Sequence, residues 1–192
     1  MPSAPPAPKT ALVIVGMCGS GKSTLAEFLS ARKWPMVRFG SVTIDELKRR
    51  GLPIQEATER SVREELRKKH GMAAFAALSL PAIEEALERR RKVVIDGLYS
   101  WSEYKHLHDR LKARLLVVAV FTPRRARYER LASRSVRPLT AEEAESRDVA
   151  EIERIEKGGP IALADFTLLN GGTVGDLEQS LLRILEAEGV EV

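Results

Sequence analysis

The run Gly16-Met17-Cys18-Gly19-Ser20-Gly21-Lys22-Ser23, followed by Thr24, constrains the chain more than any other stretch of it. It satisfies the pattern G-x-x-x-x-G-K-[S/T] in full, with an apolar run over 11–15 before it and an amphipathic stretch from 22 to about 32 after it. A strand that runs into a glycine-rich turn and then a helix has a physical purpose. Glycines at 16, 19 and 21 let the backbone curl with no Cβ in the way, so that successive N–H groups face phosphate oxygens. The following helix adds the positive end of its dipole. Lys22 can reach β and γ phosphates, and the Ser23 hydroxyl suits Mg²⁺. The expectation is a nucleoside-triphosphate site built on Gly19, Ser20, Gly21, Lys22, Ser23 and Thr24, with ATP and Mg²⁺ as cofactors. Cys18 reads as a small wall residue, since the chain has a single cysteine and no redox partner for it.

The rest of the chain continues the alternation. Apolar runs over 36–39, 93–95, 115–121 and 166–169 read as strands, and the runs 93–95 and 115–121 lack the period of two seen when one face is wet. Between them lie a helix-prone region over 41–70 broken at Gly51-Leu52-Pro53, and a helix over 72–90 in which Pro81 predicts a kink or an interruption. An arginine-rich helix, an acidic helix over 141–156 and a closing helix over 174–187 complete the pattern. Strands alternating with helices mean a parallel α/β sheet. A length of 192 residues suits one domain, over 11–192, with residues 1–10 as a disordered, Pro- and Ala-rich lead-in. The longest apolar run, 115–121, falls far short of the ~20 residues needed to cross a bilayer, so no membrane partner is expected. One cysteine excludes an internal disulfide framework and fits a cytoplasmic location. A net charge of +4 and a pI near 9.3 favour phosphorylated ligands, with nucleic acid as the weaker alternative partner.

Two further features carry chemistry. Asp96 ends a buried strand, at the edge where ligands bind in open α/β sheets, and there it can serve the Mg²⁺ shell or take a proton from an attacking hydroxyl. The competing reading is that it caps the next turn with Gly97. Arg124, Arg127, Arg130, Arg134 and Arg137 step by three or four residues, which one helix would align on one face. The only nearby acid is Glu129, so this stripe repels itself unless anions visit it, and arginine suits a bidentate grip on phosphate.

The phosphate loop, Asp96-Gly97, the stretch Glu129-Arg130-Leu131-Ala132-Ser133-Arg134 and the segment from Ala164 to Gly172 together resemble the P-loop nucleoside monophosphate kinase and dephospho-CoA kinase superfamily. The closest likeness is to archaeal-type, adenylate-kinase-related proteins, and it covers nearly all of the chain after Thr10. The resemblance implies a three-layer P-loop kinase fold: a five-stranded parallel sheet, a helical acceptor-binding insert at about 41–90 and a small lid at about 124–147. It places Lys22, Asp96, Arg130 and Arg134 in catalysis, Arg147 beside them, and Arg130, Asn170 and Gly172 with the nucleotide. Ser23 and Asp96 would serve the metal. The chain departs from the pattern in the acceptor pocket. Ser41 stands where relatives carry an acid, Ile44 where an arginine grips the acceptor's phosphate, and Leu98-Tyr99 where a second arginine is frequent. Asp45 or Glu46 can supply a substitute acid, and Tyr99, Trp101 and Tyr104 can stack a ring or sugar. The function implied is ATP- and Mg²⁺-dependent transfer of a γ-phosphoryl group to a small acceptor (a nucleotide, a nucleoside or a dephospho-CoA-like molecule), by a monomer or homodimer. A polynucleotide 5′-hydroxyl kinase and a nucleotide-binding regulatory protein are the alternatives.

Overall fold

A computed structural model describes residues 8–135 and 137–192. Five parallel strands form one sheet in the order β2-β3-β1-β4-β5, with β1 (Thr10–Val15), β2 (Met36–Arg38), β3 (Lys92–Asp96), β4 (Arg114–Phe121) and β5 (Phe166–Leu169). The central strand explains the unalternating apolar runs. Ala11, Val13 and Val15 point into one buried cluster, while Leu12 and Ile14 point into another on the opposite face. The second cluster is closed by Leu25, Phe28 and Leu29 of α1 (Lys22–Ala31) and by Leu177, Leu181 and Leu185 of α9 (Val174–Ala187). The first is closed by α2 (Phe39–Arg50), α3 (Glu56–His70), α4 (Ala74–Arg90) and α5 (Trp101–Arg110), through Leu47, Val62, Phe75, Ile83 and Leu107 among others. After β4 the chain forms α6 (Arg124–Ala132), α7 (Ala141–Ile155) and the short α8 (Gly158–Ala162).

Most of the expected elements lie where the sequence puts them, and the differences have local causes. Phe39 opens α2 instead of ending β2, because its ring is buried in the first cluster. The helix α4 runs unbroken through Pro81, which is exposed, while Phe75, Ala76, Ile83 and Leu87 on either side of it are buried and hold the two halves in line. Lys9 and Thr10 belong to the folded part: Lys9 reaches Glu88, its carbonyl accepts from Arg114 N, and Thr10 pairs with Lys92 and Arg114 in the sheet. Residues 1–7 of the expected lead-in lie outside the described residues. Helix α5 has no apolar period to announce it. It starts on a capping box, in which Ser100 Oγ accepts from Glu103 N at 3.1 Å and Glu103 Oε2 accepts from Tyr99 N and Ser100 N at 2.9 and 3.0 Å.

The arginine stripe does not survive as one face. Helix α6 ends at Ala132, so Arg134 and Arg137 lie beyond it, and Arg137 sits at φ 52°. The partners missing from the local sequence come from α7, a helix that starts on the Thr140–Glu143 capping box. Arg124 pairs with Glu145 at 3.3 Å, and Arg127 forms a two-pronged ion pair with Asp148 at 3.0 and 2.6 Å. Arg127 is only 6 % exposed and also donates to the Cys18 carbonyl at 2.9 Å, so it clamps the phosphate loop to α6 and α7. A guanidinium buried so deeply is tolerable because both of its terminal nitrogens meet oxygen acceptors, two of them on a carboxylate. Trp101 and Tyr104 stack on each other, with ring centroids 5.1 Å apart, and a Cβ on Gly159 of α8 would meet the Trp101 ring at 2.8 Å. Those two rings therefore join α5 to α8 and line no ligand cavity described below, which leaves Tyr99 as the aromatic available to a ligand.

Candidate active site

The carboxyl ends of β1 and β3 lie side by side in the sheet, so the loop after β1 and Asp96 at the end of β3 open onto the same crevice. The loop is held in shape from behind. Asn170 Nδ2 donates to the Ser20 carbonyl at 2.8 Å, and Thr122 Oγ1 donates to the same carbonyl at 3.0 Å. Gly21 has φ +105°, and a Cβ there would lie 2.3 Å from Asn170 Nδ2, so both backbone angle and space demand glycine. Arg130 completes the buttress, donating to the Asn170 carbonyl at 3.2 Å and to Thr122 Oγ1 at 3.4 Å.

In front of the loop lies a cavity of about 520 Å³. Gly19, Gly21, Lys22, Ser23, Thr24, Asp96, Arg130, Arg134, Asn170 and Gly172 line it, as does Arg147 from α7. Ser20 does not. Its side chain is turned away from the crevice and buried, its carbonyl serves Asn170 and Thr122, and its N–H donates to the Met17 carbonyl at 3.2 Å. Ser20 shapes the loop from within. The Asp96 carboxylate pairs with Arg38 Nε at 3.4 Å, and the cap of the next helix is Ser100. Asp96 therefore faces the cavity and leaves the capping role to Ser100.

Two charged residues join the site that the sequence reading left out, Lys157 and Glu151. Lys157, in the turn between α7 and α8, is 3 % exposed, and its ammonium donates to Glu151 Oε2 at 2.5 Å and stands 4.9 Å from the Tyr99 ring centroid. Lys157, Glu151 and Tyr99 all line the larger cavity. No motif surrounds Lys157 or Glu151; the fold alone carries them there. Among the described residues, five cations (Lys22, Arg130, Arg134, Arg147, Lys157) face this cavity against two carboxylates (Asp96, Glu151), a surplus suited to a polyanion. The crowding shows in the lysine of the loop. Desolvation first, and the Lys157 charge next, lower the Lys22 ammonium to about 8. Lys22 Nζ meanwhile donates to the Met17 carbonyl at 2.9 Å. Desolvation in the cleft, with Asp96 and Glu151 nearby, pushes the Tyr99 phenol up to about 12, so it remains a neutral donor at neutral pH.

A second cavity of about 420 Å³ adjoins the first and shares Asp96 and Tyr99 with it. Ser41, Ile44 and Tyr99, three of the positions at which the chain departs from the resembled pattern, all line it; Leu98 does not, being buried in the core. Arg38, Asp45, Lys48 and Glu59 add charges of both signs. Arg63 stands outside this lining and pairs with Glu59 at 3.3 Å, and Glu46 is taken up by Arg49 and Arg50, each at 2.7 Å. Of the two candidate substitute acids, Asp45 is the one at the cavity.

The donor set fits Mg²⁺. Ser23 and Asp96 each bring a side-chain oxygen to the same cavity. That suits an ion held by one or two protein oxygens together with phosphates and water.

A family model described as an AAA domain matches residues 12–152. A UPF0200 protein of Thermococcus gammatolerans is 35% identical over 178 residues, covering 91% of this chain and 93% of that protein. Among solved structures, a shikimate kinase from Bacteroides thetaiotaomicron superposes with a TM-score of 0.58 over 92% of this chain and 98% of its own, at 15% identity. A gluconokinase from Sinorhizobium meliloti 1021 does so with a TM-score of 0.55 over 94% and 96%, at 17% identity. The sheet order, the helical layers and these superpositions make this the α/β fold of the P-loop kinases. The chain belongs to the AAA domain family and to the UPF0200 protein family.

Proposed function

We propose that the protein is an ATP- and Mg²⁺-dependent phosphotransferase acting on a small acceptor. The observation that carries this reading is the pair of adjoining cavities with Asp96 and Tyr99 on their shared wall. A triphosphate on the loop and a hydroxyl in the smaller cavity would meet beside a carboxylate. Lys22, Arg130, Arg134 and Arg147 supply the positive charge that phosphoryl transfer needs, so catalysis rests on positioning and charge stabilisation. Ser23 and Asp96 would hold the Mg²⁺, which contributes neutralisation of phosphate charge when bound. Asp96 also stands where it can accept the acceptor's hydroxyl proton. Helices α6 and α7 act as the lid, and α2 to α4 as the acceptor-binding insert.

The smaller cavity supports a specific acceptor class. Ile44 and Tyr99 cannot make the charge-assisted grip of an arginine, worth about 1.5–3 kcal/mol as a hydrogen bond to a charged group. Any anion on the acceptor falls to Arg38 or Lys48, and its hydroxyls to Asp45 and Tyr99. AMP, CMP, UMP and GMP are therefore expected to turn over with kcat/KM well below ~10⁴ M⁻¹s⁻¹, while a small hydroxylated acceptor exceeds it. Steady-state assays with ATP against monophosphates, nucleosides, dephospho-CoA, sugar acids and 5′-hydroxyl oligonucleotides test this. Efficient turnover of any of the four monophosphates would overturn the acceptor assignment.

The lowered Lys22 ammonium gives a pH signature. Only the charged form binds phosphate well, and a bound triphosphate raises the pKa again. Affinity should therefore be full below about 8 and fall as pH rises through it, with proton uptake on binding. At pH 8 the uptake expected from this one group is about half a proton. Calorimetry in two buffers of different ionisation enthalpy reads it directly, and identical heats in both would contradict it.

A further inference from the structure

The larger cavity is also lined by an ion pair, Lys157 with Glu151, to which the phosphate-loop chemistry gives no role. Where α7 ends, Glu156 takes a left-handed turn at φ 53°, and Lys157 N donates to the Glu151 carbonyl at 3.1 Å. That turn folds the Lys157 side chain back over the last turn of α7. Glu151 Oε2 accepts from Lys157 Nζ at 2.5 Å, and its Oε1 accepts from Arg147 Nε at 3.2 Å. One carboxylate thus serves two cations, and all three groups line the cavity. A lysine head group buried as completely as that of Lys157 needs a hydrogen-bonded acceptor beside it. While the cavity holds no ligand, Glu151 is that acceptor. Once a polyanion enters, the same carboxylate is a like charge in its path, and the two cations have a better partner.

We infer that Glu151 stands in for a phosphate of the ligand, keeping Lys157 and Arg147 at the cavity wall until a triphosphate takes them over. The inference rests on reading the larger cavity as a triphosphate site. It makes Lys157 a phosphate-contacting residue and Glu151 the group that sets how readily the site fills. Tyr99, whose ring lies against the Lys157 ammonium and which also lines the acceptor cavity, would feel the hand-over directly. The exchange replaces one ion-pair partner with another and makes or breaks no covalent bond.

Calorimetric titration of the full chain with inorganic tripolyphosphate, and separately with ATP, tests it on Glu151→Gln, Lys157→Met and the double variant. Glu151→Gln should bind tripolyphosphate about tenfold more tightly than the wild type, equivalent to about 1.4 kcal/mol. Lys157→Met should bind it about tenfold more weakly, and in the double variant the gain from Glu151→Gln should vanish. Without ligand, Glu151→Gln should melt at a lower temperature than the wild type, since Lys157 loses its partner. With tripolyphosphate its melting temperature should rise further than that of the wild type. If Glu151→Gln fails to fold, Glu151→Asp, one methylene shorter, should show a smaller gain of the same sign. Weaker binding by Glu151→Gln or Glu151→Asp would mean that Glu151 only props Lys157 in place, and the inference falls. A wild type that binds neither ATP nor tripolyphosphate would remove the triphosphate reading itself and this inference with it.

Discussion

Lys22→Ala is expected to lower kcat/KM for ATP-dependent transfer by ~10³-fold or more, about 4 kcal/mol of transition-state stabilisation. The magnitude follows from position. The Lys22 ammonium lines the cavity in front of the loop and donates to the Met17 carbonyl, a neutral acceptor that a phosphate outcompetes. ATP binding should weaken as well, because the same ammonium meets phosphate charge in the ground state. The fold should not suffer. A lysine whose folded pKa is lowered to about 8 from 10.5 opposes folding, in full below about 8 and by less and less as pH rises towards 10.5. At neutral pH the variant should therefore melt at or above the wild-type temperature in the absence of nucleotide. Turnover and melting measured on the same preparation separate the two effects. A variant that retains turnover would remove the central claim, and one that loses both turnover and several degrees of stability would make Lys22 a structural residue.

How much of this was legible beforehand depends on how far apart the interacting residues lie in the chain. The phosphate loop is a local motif, and its glycines at 16, 19 and 21 each take a positive φ, so sequence and structure agree at those three positions. The buried strands were legible because both faces of β1, β3 and β4 are covered, which erases alternation. The arginine stripe misled because its partners Glu145 and Asp148 each lie 21 residues along the chain from Arg124 and Arg127, beyond any helical spacing rule. Helix α5 went unread although Ser100-x-x-Glu103 is a capping pattern; without an apolar period behind it, the cap was the only signal. Lys157 and Glu151 carry no motif. They reach the cavity because α7, joined to α6 by the Arg127–Asp148 clamp, ends beside Tyr99, and because the left-handed Glu156 turns Lys157 back over its last turn. Ser20 errs the other way: it belongs to the motif, yet it faces inward, since one position of a tight loop must carry the hydrogen bonds that brace it.

Asp96→Asn should cost about 10²–10³-fold in kcat, with the dissociation constant for ATP changing only a few-fold. Two alternatives make this a discriminating test. If Asp96 mattered only through its ion pair with Arg38, its loss would be mild. That contact is 3.4 Å long, and the two side chains are 57% and 31% exposed, the kind of surface pair worth about 0–1 kcal/mol. Such a loss would appear as a small drop in melting temperature and almost nothing in turnover. If instead Asp96 meets the acceptor hydroxyl or the metal shell, the missing charge is felt in the transition state, at about 3–4 kcal/mol for the fold-change given. The two magnitudes do not overlap, so a single variant decides between them. The position on the wall between the cavities adds a second expectation. Asparagine keeps the shape of the side chain while removing its negative charge, so acceptor binding should survive while its phosphorylation fails. Turnover within a factor of ten of the wild type would return Asp96 to a structural role and leave the smaller cavity without its proposed chemistry.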